Sequence, residues 1–349
     1  MKKFLLYGAN GYTGQLIAKM AADYGIEPIL AGRSEAKIKP MAERLGFAYK
    51  VFSLDNQRAT DEVLSEVDVV LHAAGPFKYT ADPMMQACLR TQTHYVDITG
   101  EIDIFELGSS RDVEARKAGI MILPGGGFDV VPTDCMAAFL KGQMPNATHL
   151  QLAFASVGGG ISHGTASTMV EGMGESGKIR KDGKIINVPL GHKGMTIPFW
   201  GKELFTMTIP WGDVSTAYHS TGIPNIEVFT KVHPKTFKSL KWQALYNWIL
   251  RTPLVKNFMK KQLKKKPAGP TDERRSQATS LIWGKVWNEK GEEIVGRMIL
   301  PEGYTLTAIT SLMICKKVLE GNAPVGFQTP SKAYGDLIME VDGVQRAIL

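Results

Sequence analysis

Short apolar segments alternate with helix-like segments through the first 125 residues, and this alternation limits the folds open to the chain. The apolar segments recur roughly every 20 to 28 residues, which leaves room for one helix between successive strands. Such connections join parallel strands by right-handed crossovers. We therefore predict an α/β fold, doubly wound, with helices on both faces of a parallel sheet. The predicted strands are Phe4–Tyr7, Pro28–Ala31, Ala48–Phe52, Asp68–His72, His94–Ile98 and Gly119–Leu123.

The pattern changes after residues 124–127, a proline followed by three glycines. Beyond about residue 147 the predicted strands become longer and alternate between apolar and polar residues. Asn288–Gly291 predicts a hairpin turn, and a predicted helix over 304–320 ends at Gly321. We predict an α+β domain here, with a mixed, largely antiparallel sheet. Its predicted strands are His149–Ala155, Ser215–Ser220, Ile226–Val232 and Ser280–Trp287.

Composition and charge exclude several classes of protein. Hydrophobic residues make up 44% and charged residues 21%, which excludes wholesale disorder. The net charge of +7 is local: residues 231–266 hold eleven Lys and Arg and no Asp or Glu, leaving 30 basic against 34 acidic residues elsewhere. General nucleic-acid binding is therefore not expected. Three cysteines far apart and no zinc motif predict no metal site and a reducing, cytoplasmic location.

A glycine-rich loop follows the first predicted strand. Its glycines have the spacing GxxGxxG: Gly8 permits a tight turn, Gly11 lets backbone approach a pyrophosphate, and Gly14 lets the following helix pack closely. The N-terminus of that helix offers N–H groups and a positive dipole end to phosphate. The loop predicts a dinucleotide site in a Rossmann domain. The predicted contact residues are Gly8, Asn10, Gly11, Tyr12, Thr13 and Gly14.

The end of the second strand indicates which dinucleotide binds. NAD enzymes usually carry Asp or Glu there, whereas this chain has Arg33 and Ser34, which can bind a 2′-phosphate. We therefore predict NADP (NADPH), the alternative being that Arg33 is a solvated loop residue. Asp55 is predicted to meet the adenine amino group. The end of the fourth strand is predicted to run beside the nicotinamide ribose, the alternative being an ordinary turn. Its residues are Ala74, Gly75, Pro76 and Phe77.

These assignments predict two domains. Residues 1–146 form the dinucleotide-binding Rossmann domain, and residues 147–303 form a domain for substrate binding and dimerisation. The C-terminal helices over 304–349 are predicted to pack back on the first domain. A homodimer is the expected oligomer.

Six motifs distributed along the chain occur together: Gly8–Gly14, Ala73–Phe77, His94–Glu101, Gly126–Asp134, Gly159–Thr165 and Glu302–Tyr304. With them the sequence resembles the saccharopine dehydrogenase-like oxidoreductase family over nearly the whole chain. Within that family it is similar to the trans-acting enoyl reductase-like branch, whose members resemble reductases of carbon–carbon double bonds in lipid or polyketide intermediates. The resemblance implies a nucleotide-binding domain, a mixed-sheet substrate domain and C-terminal helices that return to the first domain.

Two residues are candidate catalytic groups. His163 lies in a glycine-rich loop before a predicted helix, and an imidazole can donate a proton near neutral pH. Asp129 follows the sixth strand and is expected to face the ligand crevice, where it would orient the substrate or the nicotinamide. The alternatives are a loop residue without chemistry for His163 and a helix N-cap for Asp129. The Tyr-x-x-x-Lys pair of short-chain dehydrogenases is absent.

The predicted function is NADP-dependent reduction of a C=C or C=N bond in an apolar or lipid-like substrate. Only five arginines occur in residues 131–330, which is few for a substrate with three carboxylates. Two alternatives remain open: an amino-acid (saccharopine-type) dehydrogenase and a non-catalytic NADP-binding regulatory module.

The basic segment 242–266 combines apolar residues at helical spacing with clustered lysines. One interpretation is peripheral contact with an anionic membrane or an acyl-carrier partner. The other is a helix packed by its apolar face, with a solvated lysine-rich end. The clustered lysines are Lys256, Lys260, Lys261, Lys264, Lys265 and Lys266.

Overall fold

The computed structural model describes residues 3–240, 242–263, 265 and 267–349. It divides into two compact units. The first unit comprises Met1–Val131 and Tyr304–Tyr334, and the second comprises Pro132–Gly303 and Gly335–Leu349.

The first unit is built on a parallel sheet. In the described residues it has seven strands in the order β15-β6-β5-β4-β1-β2-β3. Its strands are β1 (Phe4–Tyr7), β2 (Pro28–Gly32), β3 (Tyr49–Val51), β4 (Val69–His72), β5 (His94–Asp97), β6 (Met121–Leu123) and β15 (Gly326–Phe327). Its helices are α1 (Tyr12–Met20), α2 (Glu35–Leu45), α3 (Gln57–Leu64), α4 (Phe77–Thr91), α5 (Ile102–Ser110), α6 (Asp112–Ala118), α14 (Gly303–Leu319) and α15 (Pro330–Tyr334).

Burial explains why the strands of this sheet are so apolar. Every residue of β1, β4 and β6 is buried, because helices cover both faces of a parallel sheet. On one face Leu5, Tyr7 and Val70 pack in a core with Met84 and Tyr95. The predicted doubly wound sheet is confirmed. The sequence prediction missed β15, whose Gly326 and Phe327 extend the sheet beside β6.

The second unit contains a mixed sheet. Its main path in the described residues is β10-β11-β12-β7-β13-β14-β16, with β8 and β9 branching from β12. Its strands are β7 (His149–Val157), β8 (Gly177–Lys181), β9 (Lys184–Val188), β10 (Gly194–Phe199), β11 (Lys202–Thr208), β12 (Asn225–Lys231), β13 (Thr279–Trp287), β14 (Glu293–Pro301) and β16 (Gln345–Ile348). Its helices are α7 (Val131–Gln143), α8 (His163–Glu171), α9 (Asp213–Thr221), α10 (Pro234–Leu240), α11 (Asn247–Leu250), α12 (Pro253–Leu263) and α13 (Asp272–Ser276).

The pairing in this sheet confirms the predicted second fold class. Strands β12 and β7 run parallel, whereas β13 pairs with β7 and β14 in antiparallel register. The predicted hairpin at Asn288–Gly291 joins β13 to β14, and Gly291 adopts a positive φ of 82° there. Phe199, Phe229 and Trp283 are buried in its core.

One predicted strand is wrong. Ser215–Ser220 lies inside helix α9. Five consecutive residues, 213–217, are buried in this helix, so the apolar-polar alternation of the segment does not mark two faces of a strand. The helix ends at Gly222, whose φ of 69° gives a left-handed C-cap.

The division into units also differs from the predicted domain boundaries. Helix α7 falls in the second unit, so the boundary lies at residues 131 and 132 instead of 146 and 147. Residues 335–349 belong to the second unit as well, because β16 pairs with β14. Residues 304–334 belong to the first unit.

The basic segment forms α10, a short 3-10 turn, α11 and α12. Two of its predicted clustered lysines, Lys264 and Lys266, lie outside the described residues. Among the helices that the structure describes, none is long and apolar enough to cross a membrane.

Candidate functional site

The glycine loop between β1 and α1 is held tightly against the neighbouring strands. Gly8 has a φ of 89°, and its N–H donates a hydrogen bond to the Ala31 carbonyl oxygen at 2.8 Å. A Cβ on Gly8 would lie 2.8 Å from the carbonyl carbon of Ala73, which real Cβ atoms do not tolerate. The chain at this turn therefore requires glycine for both its backbone conformation and its packing.

Gly14 brings the first turn of α1 onto that loop. A Cβ there would lie 2.8 Å from the Cα of Ala9. Gly11 is the N-cap residue and has no side chain to occupy the N–H groups of the first helical turn, which lack intrahelical acceptors. The side chain of Gln15 instead donates to the Asn10 carbonyl oxygen at 3.1 Å, which fixes the loop. The result is a cradle of backbone amides suited to a pyrophosphate.

The end of β2 presents a cationic edge beside this cradle. Arg33 is exposed, and Ser34 is the N-cap residue of α2, although within the described residues its hydroxyl makes no capping hydrogen bond. Burial raises the pKa of the Tyr7 hydroxyl. The positive charge of Arg33 lowers this pKa and the negative charge of Asp55 raises it, so both groups lie close enough to Tyr7 to interact with it electrostatically. Arg33 and Asp55 therefore share one edge of the sheet.

An open cleft of about 390 Å³ lies on the same side of the first unit. Two cations, Lys37 and Arg44, contribute to its walls together with Asn10 of the glycine loop. The sequence prediction did not include Lys37 and Arg44 among the cofactor contacts, although α2 places both on the wall of this cleft.

The segment after β4 is anchored by Glu101, the N-cap residue of α5. The N–H groups of Phe77 and Lys78 donate to the two carboxylate oxygens of Glu101, each at 3.0 Å. The hydroxyl of Thr80 donates to the Ala74 carbonyl oxygen at 2.8 Å. Burial raises the pKa of Glu101, against the lowering effect of the two N–H donors. Residues 74–77 therefore have a fixed course at the carboxyl edge of the sheet.

A buried carboxylate network joins the ends of β5 and β6. The Tyr95 hydroxyl donates to Asp97 Oδ2 at 2.6 Å, and the N–H groups of Thr99 and Gly125 donate to Asp97 Oδ1 at 2.9 and 2.8 Å. Burial raises the pKa of Asp97 to about 7, although the three donors lower it. Asp97 thus positions the loop that follows β6.

Asp129 lies at the end of that loop, with most of its surface covered. A Cβ on Gly100 would lie 3.0 Å from Asp129 Oδ2, so the β5 loop packs directly on this carboxylate. Burial, together with the charges of Glu101 and Asp97, raises the pKa of Asp129 to about 7. Near neutral pH this carboxyl can exist in both protonation states, as a proton donor requires.

Helix α14 supports the same loop from a distant part of the chain. The Phe128 N–H donates to Thr307 Oγ1 at 3.0 Å, and the Thr310 hydroxyl donates to the Gly126 carbonyl oxygen at 2.9 Å. The ring of Tyr304 packs edge-on against Tyr12, with centroids 5.0 Å apart. These α14 contacts were missed from the sequence, where Tyr304 belongs to one of the motifs and the two threonines carry no signal.

His163 belongs to the second unit, whereas the other candidates belong to the first. It is the first residue of α8 in the second unit, not a residue of the preceding loop. Ser162 caps this helix by accepting a hydrogen bond from the Thr165 N–H at 3.2 Å. The His163 N–H donates to the Ala268 carbonyl oxygen at 2.9 Å, and its side chain is half-buried.

The structure therefore brings the predicted cofactor residues and Asp129 together in the first unit, along one edge of one sheet. Parallel strands present their carboxyl ends on the same edge, and ligands bind there at the point where the strand order reverses. In this sheet that point lies between β1 and β4. The predicted cofactor residues therefore border it.

The family comparison matches this half of the molecule. The model described as Saccharopine dehydrogenase NADP binding domain covers residues 4–123, from β1 to the end of β6. The matched region contains the glycine loop, Arg33, Asp55 and residues 74–77.

Curated relatives cover about half of the chain. A saccharopine dehydrogenase-like oxidoreductase from Rattus norvegicus is 26% identical over 211 residues, 53% of this chain and 49% of its own. A protein named as a trans-acting enoyl reductase from Mycobacterium tuberculosis is 28% identical over 186 residues, 48% and 43% of the two chains. A lipid droplet localized protein from Caenorhabditis elegans is 24% identical over 202 residues, 51% and 47%. The chain spans about half the length of the curated relatives it matches.

A solved structure extends the likeness to the fold of the whole chain. Apo saccharopine dehydrogenase (L-Glu forming) from Saccharomyces cerevisiae has a TM-score of 0.67, with 14% identity, and the match covers 100% of both chains. At this identity the likeness establishes the fold alone. It confirms a Rossmann-like sheet followed by a second domain with a mixed sheet.

Proposed function

We propose that this chain is an NADP-dependent oxidoreductase that reduces a C=C or C=N bond of an apolar or lipid-like substrate. The observation that carries the proposal is the cradle at residues 8–14, where packing excludes a Cβ at Gly8 and Gly14 and backbone amides line the first turn of α1. The family name of the first unit and its fold support a nicotinamide dinucleotide as the ligand.

The residues present fit such a cofactor. The amides of Thr13 and Gly14 would hold the pyrophosphate, since the Gly11 N–H already donates to the Gly8 carbonyl oxygen at 2.9 Å, and residues 74–77 would border the nicotinamide ribose. Asp55 would accept a hydrogen bond from the adenine amino group; its carboxylate is oriented by the Ser53 hydroxyl at 2.9 Å. When bound, NADPH supplies a hydride.

Selectivity for NADP is proposed from the end of β2. Arg33 and Ser34 would bind the 2′-phosphate by charge-assisted hydrogen bonds, and the exposed Lys37 adds positive charge nearby. An acidic side chain there would bind the unphosphorylated ribose of NAD instead.

Arg33→Ala tests this assignment. We expect the Kd for NADPH to rise about 10- to 100-fold, because a charged hydrogen bond is worth about 1.5–3 kcal/mol. The Kd for NADH should change by less than about threefold. Arg58→Ala is the matched control, since Arg58 is an exposed α3 arginine paired with Glu62. Equal losses for both nucleotides, measured by calorimetry, would exclude a 2′-phosphate role.

The five arginines of residues 131–330 favour an apolar substrate over one with several carboxylates. Each already has a partner within the second unit. Arg180 donates to the carbonyl oxygens of Val214 and Gly183, each at 2.8 Å. Arg251, Arg274 and Arg275 donate to the carbonyl oxygens of Gly174, Gly158 and Pro270, in that order. Arg297 stacks on the ring of Trp200. The names of the enoyl reductase and lipid droplet relatives agree with an apolar substrate.

The proton that completes reduction is assigned to Asp129. Its carboxyl can hold a proton near pH 7, and the glycines around it keep the neighbouring backbone close. His163 is the second candidate, and it stays a prediction.

His163→Ala separates the two donors. If Asp129 is the donor, this substitution should lower turnover by less than about tenfold, because general acid catalysis is worth about 10²–10⁴. A fall in turnover of about 10²–10⁴-fold, at unchanged NADPH affinity, would identify His163 as the proton donor instead. Turnover is followed by NADPH absorbance with a panel of enoyl and imine compounds. NADPH binding without consumption across that panel would favour the regulatory-module alternative.

Dimerisation and a cytoplasmic location are part of the same proposal. The described cysteines, Cys88, Cys135 and Cys315, are all buried as free thiols, which agrees with a reducing compartment. The homodimer is checked by light scattering at several protein concentrations.

A further inference from the structure

Large apolar side chains in the segment after β12 are exposed to solvent. The exposed fractions are 66% for Trp242, 72% for Trp248, 80% for Leu254 and 58% for Phe258. Leu245 and Tyr246, between them, are also exposed. A group of large apolar side chains left exposed in one segment is typical of an interaction site in soluble proteins. We call the exposed side chains of residues 235–265 the basic apolar face.

Helix α12 shows how this face is built. Its inner side is fixed to α8: the Lys256 ammonium donates to the Glu171 carbonyl oxygen at 2.7 Å, and Lys260 pairs with the Glu171 carboxylate. Its outer side is exposed and continues into the turn after the helix. The exposed outer residues, spaced by four, three and four, are Leu254, Phe258, Lys261 and Lys265.

The charge of this face has one sign. Residues 231–266 contain no Asp or Glu, and along the described part of this segment exposed lysines alternate with exposed aromatic and aliphatic residues. Lys235 and Lys238 on α10 are exposed as well. Tryptophan and tyrosine prefer the boundary between lipid and water, where lysine can reach the headgroups. The apolar side chains and the lysine charges therefore both favour binding to the surface of an anionic membrane.

We propose that the basic apolar face docks this protein peripherally on an anionic lipid bilayer. The aromatic and aliphatic side chains enter the headgroup region, and the lysines bind lipid phosphates and carboxylates. A second copy of the chain is a poor occupant, because a two-fold interface would place this positive face against itself. The inference stands independently of the proposed cofactor and reaction.

Vesicle co-sedimentation of the full chain tests the docking. The parent should bind vesicles of phosphatidylcholine with about 30% phosphatidylserine, and binding should weaken as salt rises. Binding to phosphatidylcholine alone should be at least about tenfold weaker. If the parent stays in the supernatant with both vesicles, or binds both equally, the proposal is overturned.

Two sets of variants assign the binding to this face. The double variant Leu254→Ser with Phe258→Ser should lower partitioning onto the anionic vesicles at least about tenfold. Its control is Tyr79→Ser with Val113→Ser, because these two side chains of the first unit are equally exposed. Lys238→Gln, Lys261→Gln and Lys265→Gln should have a similar effect, against the exposed control set Lys184→Gln, Lys202→Gln and Lys290→Gln.

Two further outcomes would overturn the proposal. One is unchanged binding by the two variants of the face. The other is a parent dimer that Leu254→Ser and Phe258→Ser abolish in light scattering without lipid, which would identify a second copy as the occupant. Circular dichroism and cooperative unfolding of each variant show that it folds, so failure of docking stays distinct from failure of the cofactor proposal.

Discussion

Asp129→Asn is expected to lower the rate of NADPH-dependent reduction by about 10²–10⁴-fold, with NADPH affinity nearly unchanged. The amide keeps the shape of the carboxyl but cannot release a proton. In the parent, the rate should fall as pH rises through about 7, because burial and the nearby Glu101 and Asp97 hold the Asp129 pKa there. In the variant, this limb of the pH profile should be missing.

The same substitution has a stability signature that needs no substrate. A carboxyl whose pKa is raised on folding costs stability once the pH exceeds its unfolded pKa, and this cost reaches its full size above the folded pKa. Asp129→Asn removes that cost. Because the side chain retains some solvent contact, we expect the free energy of unfolding at pH 8 to rise by about 2 kcal/mol, and the gain to shrink toward pH 4.

Chemical denaturation at several pH values checks this signature. Asp342→Asn, on an exposed turn of the second unit, is the control and should show no pH-dependent gain. A parent whose reduction rate stays constant from about pH 6 to 9, with an unaltered Asp129→Asn rate, would remove Asp129 from the chemistry.

Gly14→Ala is expected to weaken NADPH binding by at least about 100-fold. A Cβ at this position would lie 2.8 Å from the Cα of Ala9 and closer still to the Gly8 carbonyl oxygen. Backbone cannot rotate away as a side chain can, so α1 must shift off the loop and carry its amide groups with it. Overpacking of this kind also costs about 1–3 kcal/mol of stability.

Gly142→Ala is the matched control for Gly14→Ala. It makes the same change inside helix α7, where the added Cβ has no heavy atom of the described residues within 4 Å apart from its chain neighbours and the adjacent helix backbone. It should leave NADPH affinity unchanged and stabilise the helix by up to about 1 kcal/mol. Circular dichroism and cooperative unfolding establish that both variants fold. Parent-like NADPH binding by a folded Gly14→Ala protein would place the pyrophosphate elsewhere.

The first sheet could be predicted because its strands are buried on both faces. Phe4, Leu5, Leu6 and Tyr7 are all buried, so β1 is an uninterrupted apolar run in the sequence. Strand β15 could not be predicted in this way. It has two residues, too few for any periodicity, and its position depends on Asp112, which accepts a hydrogen bond from the Phe327 N–H at 2.7 Å.

In the candidate site, too, local features could be predicted from the sequence and long-range contacts could not. The glycine loop was predictable because its three glycines act within seven consecutive residues. The partners of Glu101 and Thr307 were not, because Glu101 binds N–H groups 24 and 23 residues away and Thr307 binds one 179 residues away. Tyr95 and Asp97 lie at alternate positions of β5, but burial sets the Asp97 pKa and only the packed fold supplies that burial.

Titration of the parent protein with NADPH and NADH, by calorimetry, tests the central claim most directly. The cradle at residues 8–14 predicts that both nucleotides bind, and Arg33 and Ser34 predict that NADPH binds at least about tenfold more tightly. Equal affinities would contradict the 2′-phosphate assignment. The absence of binding by either nucleotide would contradict the oxidoreductase proposal itself.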